Sequence, residues 1–558
     1  MEFLDARRLT GPNILCNKPG AILDIACTMD EADRLLPFCE VHIGRMLSAV
    51  GWGGERVRHV RLAGGISIMF SAPIDALYAA TTINEWVWDC CAAELCGRDW
   101  PDFDTKVGEI CAAIAAESNP PLLALQAVAE EHDVAFLWDD DEVSVGHGSQ
   151  CEVWPVRQLP QPDMLDWSGF RDVPVGIVTG TNGKTTTARI AKHLLQSAGK
   201  TVGLSCTDWV SVNDRIVDRD DWSGPGGARL VLRQPGIDTA ILETARGGLL
   251  RRGLGVNSVE VALITNIAED HLGDFGSQSV AELLNIKWVI SQAVDDAGYL
   301  VLNADDELLV RKSAEFGGSI IWFSLDDSNL IVCKHIECGG VAFVFSGADL
   351  VRIEGKNRQF ICKATDIPIT LNAAAAHNVA NALAAAALTE QLGLTINEIA
   401  DGLRTMTQES NPGRSNLYEI DGFKVLVDFA HNPQAMQALF AMASAMPAKR
   451  RVLCFGQAGD RTDAQIRELA RNAWSMGLDM AMIAELEHYR RGRAPGEVFA
   501  MLRDELRKCG ARADQVRHYD EEAASFDAAL QWAQPGDLVV ILDLGRVSDI
   551  HEKLIGRC

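Results

Sequence analysis

A glycine-rich loop between a short apolar segment and a helical segment constrains this chain more than any other stretch. The segment Val175–Val178 is apolar and β-branched, and Gly180-Thr181-Asn182-Gly183-Lys184-Thr185 follows it. The helical pattern Thr186–Ala198 comes next. A strand, a glycine loop and a helix in this order present backbone N–H groups and a positive helix N-terminus to a polyphosphate. The stretch therefore predicts a nucleotide-binding α/β domain.

Two side chains of this loop have defined roles in such sites. Lys184 reaches the outer phosphates, and the Thr185 hydroxyl ligates magnesium. The loop lacks the first glycine of the longer G-x-x-x-x-G-K-[ST] form, because Val178 stands at that position. A glycine turn that only ends a strand is the alternative, and the Gly-Lys-Thr triplet in its strand–helix setting disfavours it. The predicted nucleotide-binding residues here are Gly180, Thr181, Asn182, Gly183, Lys184, Thr185 and Thr186.

Length and charge narrow the class of protein. A chain of 558 residues is too long for one hydrophobic core, so three or four domains are expected. The net charge of −26 disfavours nonspecific binding to nucleic acid, because the average surface field repels phosphate. No secretory signal and no apolar run long enough to span a bilayer are evident, so no membrane contact is expected. The fifteen cysteines are scattered without a C-x-x-C pair, which indicates reduced thiols in a cytoplasmic protein.

The order of predicted elements gives an α/β fold class. From Val173 onward strands and helices alternate, which predicts a mostly parallel, doubly wound sheet. Within it, residues 330–365 are expected to form an antiparallel insert, and Ala373–Leu392 an alanine-rich helix. Strands are predicted at Val175–Thr179, Thr239–Glu243, Val259–Thr265, Tyr299–Leu302, Ser319–Phe323, Lys424–Asp428, Arg451–Gly456, Met480–Ala484 and Leu538–Leu542. The predicted units are a mixed α/β domain at 1–150, a linker at 151–172, a central domain at 173–410 and a smaller α/β domain at 411–558.

Polar residues follow two of the predicted strands. Glu243 ends one strand before a glycine turn. Its carboxylate either ligates the magnesium that Thr185 holds or only ends the strand, and the residues alone leave both open. Asn266 follows the next strand, and His271 lies a few residues further on. The His271 imidazole either ligates a second metal or caps a surface turn, and the residues alone favour the capping role. Ligands of parallel sheets gather beyond the carboxyl ends of the strands, where Gly180, Glu243 and Asn266 fall.

Seven short motifs between residues 175 and 463 occur in an order that resembles the Mur ligase superfamily. In chain order they read GTNGKTTT, ETARGGLLRRGL, TNIAEDHLG, AAAAHNVANALAA, NPGRSNLYE, DFAHNP and GDRTD. Their wording is similar to the Mur-type half of the cyanophycin synthetase family. The resemblance implies a three-domain ligase that uses ATP and two Mg²⁺ ions. It activates a carboxylate as an acyl phosphate, which an amine then attacks to give an amide.

The resemblance also implies roles for individual residues. Lys184 would hold the phosphates, Thr185 and Glu243 the first magnesium, and His271 the second. Asn378 and Asn381 would contact adenine, since a spacing of three puts both on one helix face. Lys287 stands where several relatives carry a carbamylated lysine that ligates the second metal, and an ordinary lysine of an amphipathic helix is the alternative. Arg414 and Asp428 would contact the γ-phosphate and the ribose from the C-terminal domain.

The first domain resembles the N-terminal domain of the cyanophycin synthetase family, through LTGPN and AVAEEHDVAFLWDDDEVSVGHGS. In that family an ATP-grasp ligase domain follows, whereas here the chain passes through residues 151–172 directly to the glycine loop. The substrates implied are a small-molecule or peptide carboxylate, of aspartate or glutamate type, and an amino-acid amine. Two other functions stay open, a catalytically silent nucleotide-binding regulatory partner and an ammonia-dependent amidoligase subunit. The first domain is expected either to dock substrate or to contribute to contacts in a homo-oligomer.

Overall fold

The fold was described from a computed structural model, in which residues 1–270, 279–542, 550 and 553–554 are described. The strands of these residues form four sheets. No helix in this part of the chain is long and apolar enough to cross a membrane.

The first sheet belongs to the N-terminal unit and is antiparallel throughout, in the order β1-β2-β4-β3. Helices α1 and α2 pack on it around the fully buried Trp86. Pro120 and the Asn119 cap begin the helix that leads out of this unit. The elements are β1 (Glu2–Leu9), β2 (Gly20–Ala26), α1 (Met29–Ala49), β3 (Val57–Leu62), β4 (Gly65–Ser71), α2 (Leu77–Leu95), α3 (Phe103–Glu117) and α4 (Pro120–Glu131).

A small antiparallel sheet connects this unit to the glycine loop. It consists of β5 (Phe136–Trp138), β6 (Glu142–Val145) and β7 (Glu152–Pro155), in that order. Strand β7 lies inside the segment 151–172 that the prolines predict as a linker, and Pro155 stands at its last position. Strand β7 pairs with β6, whose Val143 and Val145 side chains are fully buried. The first residues of the segment are therefore packed against the protein.

His147 follows β6 and is buried where the small sheet meets the strand that leads into the glycine loop. The residue is 4% exposed, and its ring lies close to the Val173 backbone. Burial lowers the pKa of His147 to about 4. The Asp172 carboxylate lies 3.6 Å from Nδ1, but burial also raises the pKa of Asp172, so desolvation outweighs the attraction. His147 is therefore neutral in the folded protein at neutral pH.

We expect this histidine to make the protein acid-sensitive. The unfolded chain takes up a proton near pH 6.5 and the folded chain only near pH 4, so stability is complete above pH 6.5 and falls as the pH drops toward 4. The loss attributable to His147 is about 3 kcal/mol of unfolding free energy. In urea unfolding between pH 7 and 5, the unfolding free energy of His147→Gln should depend less steeply on pH than that of wild type. Substitution of the exposed His59 should leave the slope unchanged, and equal slopes for all three proteins would contradict the prediction.

The central sheet is confirmed as a doubly wound α/β sheet, with antiparallel strands added at both edges. Its order is β11-β10-β9-β12-β8-β13-β14-β15-β16-β17-β18, and the pairs from β9 to β16 are parallel. The strands are β8 (Val175–Thr179), β9 (Val202–Ser205), β10 (Val210–Val212), β11 (Arg215–Asp218), β12 (Thr239–Glu243), β13 (Val259–Ile264), β14 (Val294–Asn303), β15 (Ser319–Ser324), β16 (Val341–Ser346), β17 (Asp349–Glu354) and β18 (Asn357–Lys363).

Helices cover both faces of this sheet. Helix α11 lies across one face with an almost fully buried alanine-rich surface, which lets it approach the strands closely beside α5. The helices are α5 (Lys184–Ser197), α6 (Pro225–Leu232), α7 (Arg246–Arg252), α8 (Val280–Trp288), α9 (Glu307–Lys312), α10 (Leu330–Glu337), α11 (Ala376–Gln391) and α12 (Ile396–Thr405).

The prediction for residues 330–365 is wrong in two respects. Its first part is a helix, Leu330–Glu337, whose first turn is capped by the Asn329 side chain. The three strands that follow are not a separate insert, because β16 pairs in parallel with β15 and the hairpin β17–β18 extends the same sheet. Residues 341–363 therefore enlarge the central sheet.

The C-terminal sheet has the order β19-β20-β24-β21-β22-β23, with parallel pairs from β20 to β23 and the antiparallel edge strand β19. This confirms a second, smaller α/β unit. Its elements are β19 (Asn416–Ile420), β20 (Phe423–Asp428), α13 (Pro433–Ala445), β21 (Arg451–Phe455), α14 (Asp463–Ser475), β22 (Met480–Ala484), α15 (Glu497–Lys508), β23 (Val516–Tyr519), α16 (Glu522–Trp532) and β24 (Leu538–Leu542).

The N-terminal unit is joined to the central sheet around helix α7. The Thr10 amide donates to the Arg252 carbonyl at 2.7 Å, and the Leu254 amide donates to the Pro12 carbonyl at 2.7 Å. Gly11 permits this approach, because a Cβ there would lie 2.2 Å from the Leu254 carbonyl oxygen. The first strand and the loop after it therefore brace one side of α7.

Candidate active site

The glycine loop has the backbone conformation that a phosphate cradle needs. Gly180 and Gly183 have φ angles of +146° and +82°, which side chains with a Cβ disfavour. Both are also closely packed, since a Cβ on Gly180 would lie 1.9 Å from Thr265 Oγ1 and one on Gly183 would lie 2.3 Å from Asn381 Oδ1. The two glycines are thus required both by the turn and by their neighbours.

Helix α5 begins at Lys184 directly after the loop. Gly183 is its N-cap and provides no side-chain hydrogen bond, so the first N–H groups of the helix face the cavity without a side-chain cap. The Lys184 Nζ lies over the loop and donates to the Thr181 carbonyl at 3.0 Å. A polyphosphate in the loop would meet these backbone N–H groups and the Lys184 ammonium together.

The loop is held by the polar residues that end strand β13. The Thr265 hydroxyl donates to the Asn182 carbonyl at 2.6 Å, and the Asn182 amide donates to Asn266 Oδ1 at 2.9 Å. The Thr181 amide donates to the Asn266 carbonyl at 2.8 Å. This confirms that the loop and Asn266 meet at the carboxyl edge of the sheet.

Glu243 ends the neighbouring strand β12 and is buried, with 1% of its surface exposed. Its carboxylate accepts hydrogen bonds from Thr185 Oγ1 at 3.0 Å and from Thr207 Oγ1 at 2.8 Å. The Thr207 backbone amide adds a third at 3.1 Å. The two residues predicted to share a magnesium ion therefore lie in direct contact, and Thr207, which the sequence did not single out, orients the carboxylate.

The two asparagines of helix α11 face the glycine loop. Asn378 and Asn381 are buried and adjacent, and the Asn381 amide donates to Asn378 Oδ1 at 3.3 Å. Asn378 is fixed in turn, because its Nδ2 donates to the Ile369 carbonyl at 2.8 Å. Both side chains line the same cavity as Lys184. Their position on one helix face agrees with the spacing, and contact with adenine stays a prediction.

The C-terminal sheet contributes to this cavity through Arg414, Asp428 and the loop after β20. The Arg414 guanidinium stacks over the Phe429 ring at 4.5 Å, and Asp428 accepts from the Ser415 amide and hydroxyl at 2.7 and 2.8 Å. Asn432 reaches the glycine loop itself, since its Nδ2 donates to Asn182 Oδ1 at 2.7 Å. The two sheets thus meet at the loop.

Lys287 is not the solvated lysine of an amphipathic helix. It lies in α8 with 5% of its surface exposed, and its Nζ donates to the Gly180 carbonyl at 2.6 Å. Burial, together with the nearby Lys184 ammonium, holds the pKa of the Lys287 amine well below its usual range. His271, the other residue predicted to ligate the second metal ion, lies outside the described residues.

These residues surround one cavity of about 850 Å³. Besides the predicted residues, its wall includes Arg246 and the glycines after it, which begin helix α7. Arginines also line the side of the cavity formed by α6 and α7, namely Arg229, Arg251 and Arg252. Sequence reasoning missed Thr207 and these arginines. The ETARGGLLRRGL motif contains Arg246, Arg251 and Arg252, and these basic residues were the available signal.

The chemistry of the oxygen donors fits a magnesium ion. A threonine hydroxyl and a carboxylate are hard ligands, and Mg²⁺ is bound in proteins by one or two such groups together with phosphate oxygens. Thr185 and Glu243 bring these two groups together beside the glycine loop. Among residues 1–270 and 279–542, no group of three His, Cys, Asp or Glu side chains forms a metal site. The described side chains therefore fit a metal that is shared with a phosphate ligand.

Comparison with known families decides the lineage. The sequence profile of the Mur ligase middle domain matches residues 178–389, and that of the Mur ligase glutamate ligase domain matches residues 413–542. The chain belongs to the Mur ligase family. The family resemblance drawn from the ordered motifs is thereby confirmed, and each profile covers one of the two larger sheets.

Individual members of the Mur ligase family give the extent of the similarity. The chain is 35% identical over 410 residues to cyanophycin synthetase of Synechocystis sp., covering 72% of this chain and 46% of that protein. It is 28% identical over 388 residues to a UDP-N-acetylmuramoyl-L-alanyl-D-glutamate–2,6-diaminopimelate ligase of Corynebacterium efficiens, covering 67% and 70%. The chain thus spans about half the length of the cyanophycin synthetases it matches.

Solved structures of the family support the fold. E. coli FolC in complex with DHPP and ADP superposes with a TM-score of 0.50 at 20% identity, covering 69% of this chain and 89% of that one. This similarity confirms the predicted arrangement of a central P-loop sheet and a C-terminal α/β unit. The roles of individual residues rest on the geometry above.

Proposed function

We propose that this protein is an ATP-dependent ligase that joins a carboxylate to an amino-acid amine as an amide, releasing ADP and phosphate. The observation that carries the proposal is the cavity in which the glycine loop, Glu243, the α11 asparagines and Arg414, from the segment that leads into the C-terminal sheet, meet. Cyanophycin synthetases and a UDP-N-acetylmuramoyl-L-alanyl-D-glutamate–2,6-diaminopimelate ligase are among the relatives that match this chain. We assign the carboxylate to an aspartate or glutamate side chain, free or in a peptide.

The nucleotide-binding residues divide the work along the cavity. Asn378 and Asn381 hold adenine, Asp428 holds the ribose, and the glycine loop from Gly180 to Thr186 holds the phosphates. Lys184 and Arg414 line the same cavity, and both would place positive charge on the terminal phosphate. Thr185 and Glu243 would hold one Mg²⁺, and His271 with a carbamylated Lys287 would hold a second. The metal ions supply charge neutralisation as the phosphoryl group moves to the carboxylate.

The chain's own cations stabilise the two charged steps. The substrate carboxylate attacks the γ-phosphorus in line with ADP departure, and Lys184 and Arg414 offset the charge on the equatorial oxygens. The amine then attacks the acyl phosphate, and the same groups stabilise the oxyanion before phosphate leaves. An acyl phosphate is hydrolysed by water. Because Arg414 and Asn432 flank the first strands of the C-terminal unit and the glycine loop belongs to the central unit, domain closure would exclude water from the cavity.

Screening pairs of substrates tests the proposal. Carboxylates, including aspartyl and glutamyl peptides, are incubated with ATP, Mg²⁺ and single amines such as arginine, lysine or ammonium. We expect phosphate release that requires both partners, with mass spectrometry identifying an amide. Because turnover consumes ATP, we expect the enzyme to act in the cytoplasm.

A pair of lysine variants provides the control for this screen. Lys184→Ala should lower phosphate release by about a hundredfold or more, because the positive charge at the transferred phosphate is lost. Lys192→Ala, on the same helix but paired with the exposed Asp214, should retain wild-type turnover. ATP turnover that needs no amine and persists in Lys184→Ala would refute the ligase proposal. Turnover with ammonium alone would favour an amidoligase instead.

A further inference from the structure

One carboxylate, Asp208, lies between two arginines that belong to different parts of the fold. Its Oδ2 contacts the Nη2 of Arg189, on helix α5, and lies 3.6 Å from the Nη2 of Arg414. Arg189 is 1% exposed and needs a counter-charge to be buried. Arg414 is also largely buried, at 15%. Asp208 therefore neutralises a buried arginine of the central unit while it attracts an arginine that follows the crossing to the C-terminal sheet.

Arg189 also fixes the backbone that carries Arg414. Its Nη1 donates to the Pro412 carbonyl at 3.0 Å and lies 3.4 Å from Asn411 Oδ1. Its guanidinium stacks on the Trp209 ring at 4.1 Å. The segment from Asn411 to Arg414 joins the central sheet to the C-terminal one, so this arginine anchors the junction to the helix that begins at the glycine loop.

The residue before Asp208, Thr207, lines the cavity and contacts a different carboxylate. Thr207 donates through its amide and its hydroxyl to Glu243, the proposed magnesium ligand. Two consecutive residues of one loop thus contact the Glu243 carboxylate at the end of β12 and Arg414, which lies just before the C-terminal sheet. The loop follows β9, whose strand pairs with β12, so its position is set by the central sheet.

We propose that Asp208 is a positioning residue that aims Arg414 at the terminal phosphate of the nucleotide. The inference rests on the proposed function, because it takes from there the role of Arg414. The Arg414 side chain has two other described contacts, the face of the Phe429 ring and the Gly413 carbonyl at 3.4 Å. Neither carries a full negative charge, whereas the Asp208 carboxylate does. Through Thr207 and Asp208, the loop sets the distance between the metal carboxylate and the phosphate-binding arginine.

Charge explains why Asp208 is needed. Two guanidinium groups that share one carboxylate repel each other once that carboxylate is neutralised. Arg189 is held by the Pro412 carbonyl and by Trp209, so Arg414 is the group that moves. Without Asp208, Arg414 would turn away from Arg189, and its contact with the γ-phosphate would be lost while the nucleoside and the first two phosphates stay bound.

Binding of two nucleotides tests this inference without knowledge of the substrates. Affinities of the full chain for ADP and for the non-hydrolysable analogue AMPPNP are measured by calorimetry with Mg²⁺. We expect Asp208→Asn to weaken AMPPNP binding about tenfold, a coupling typical of charged neighbours, and to change ADP binding less than about twofold. Asp208→Glu, which keeps the charge, should recover most of the AMPPNP affinity. Asp214→Asn, an exposed aspartate beside α5, is the matched control and should change neither affinity.

A double-mutant cycle distinguishes positioning from a general loss of structure. If Asp208 acts through Arg414, Asp208→Asn combined with Arg414→Lys should bind AMPPNP as weakly as Arg414→Lys alone. Equal weakening of ADP and AMPPNP, or a double variant whose loss is the product of the single losses, would overturn the inference. Should Asp208→Asn fail to fold, the same cycle is run in an Arg189→Met background. That background removes the charge left unpaired and tests the Asp208–Arg414 attraction alone. Failure of the ligase proposal would show separately, as absence of substrate-dependent phosphate release by wild type.

Discussion

Glu243→Gln is expected to lower turnover by about a hundredfold or more while leaving the fold intact. Glutamine fits the site: its carbonyl oxygen can accept from the Thr207 amide, and its NH₂ group can donate to the hydroxyls of Thr185 and Thr207. The substitution therefore removes only the negative charge and the anionic metal ligand. An amide nitrogen does not ligate Mg²⁺, so the ion and the γ-phosphate would lose their fixed geometry.

Steady-state kinetics together with thermal unfolding measure this prediction. We expect kcat to fall while the Tm stays within a few degrees of wild type. Glu260→Gln is the matched control, since Glu260 lies on β13, the strand on the other side of β8 from β12. Its carboxylate accepts from the Val175 amide at 2.7 Å, at the opposite end of β8 from the glycine loop. Near-normal turnover of Glu243→Gln with saturating Mg²⁺ would show that the carboxylate is not a metal ligand.

Most strands of the parallel cores were predictable because each is a short apolar run bounded by polar or turn residues, whereas the four-residue strands β9 and β23 were not predicted. Val175–Thr179, Thr239–Glu243 and Leu538–Leu542 have the predicted bounds. Buried parallel strands are apolar on both faces, and this leaves a continuous signal in the sequence. The same signal misleads where a helix is short and apolar. Leu330–Glu337 contains isoleucine and valine, and only its asparagine cap distinguishes it from a strand.

The residues that complete the site were harder to predict, because their partners are far apart in the chain. Asn182 and Asn432 are hydrogen-bonded across 250 positions, and no local pattern records that contact. Thr207 and Asp208 lie in an ordinary loop after a strand, and their significance comes from Glu243 and Arg414. The alternation of strands and helices predicted the C-terminal sheet, but only the family resemblance pointed to Arg414 and Asp428 as site residues. Physical reasoning from the sequence located the glycine loop and the strand ends.

Lys287 is the group for which the structure most sharpens the sequence prediction. A lysine that is 5% exposed, next to the Lys184 ammonium, is disfavoured in its charged form. Its neutral amine can attack the carbon of CO₂, forming an N–C bond and releasing a proton, so that a carbamate anion results. The carbamate would restore charge balance between Lys184 and the glycine loop and would provide an oxygen ligand for the second metal ion.

We therefore expect turnover to depend on bicarbonate. Protein freed of CO₂ should lose most of its activity and regain it when bicarbonate is added, and ¹³C-labelled bicarbonate should give a carbamate NMR signal that is absent from Lys287→Met. That variant should turn over about a hundredfold more slowly at any bicarbonate concentration, as expected when a charged group is lost from a closed phosphoryl-transfer site. Lys192→Met controls for loss of a surface lysine. Full activity without CO₂, and no carbamate signal, would leave Lys287 as a hydrogen-bond donor that holds the Gly180 carbonyl, in which case Lys287→Met would act by loosening the glycine loop.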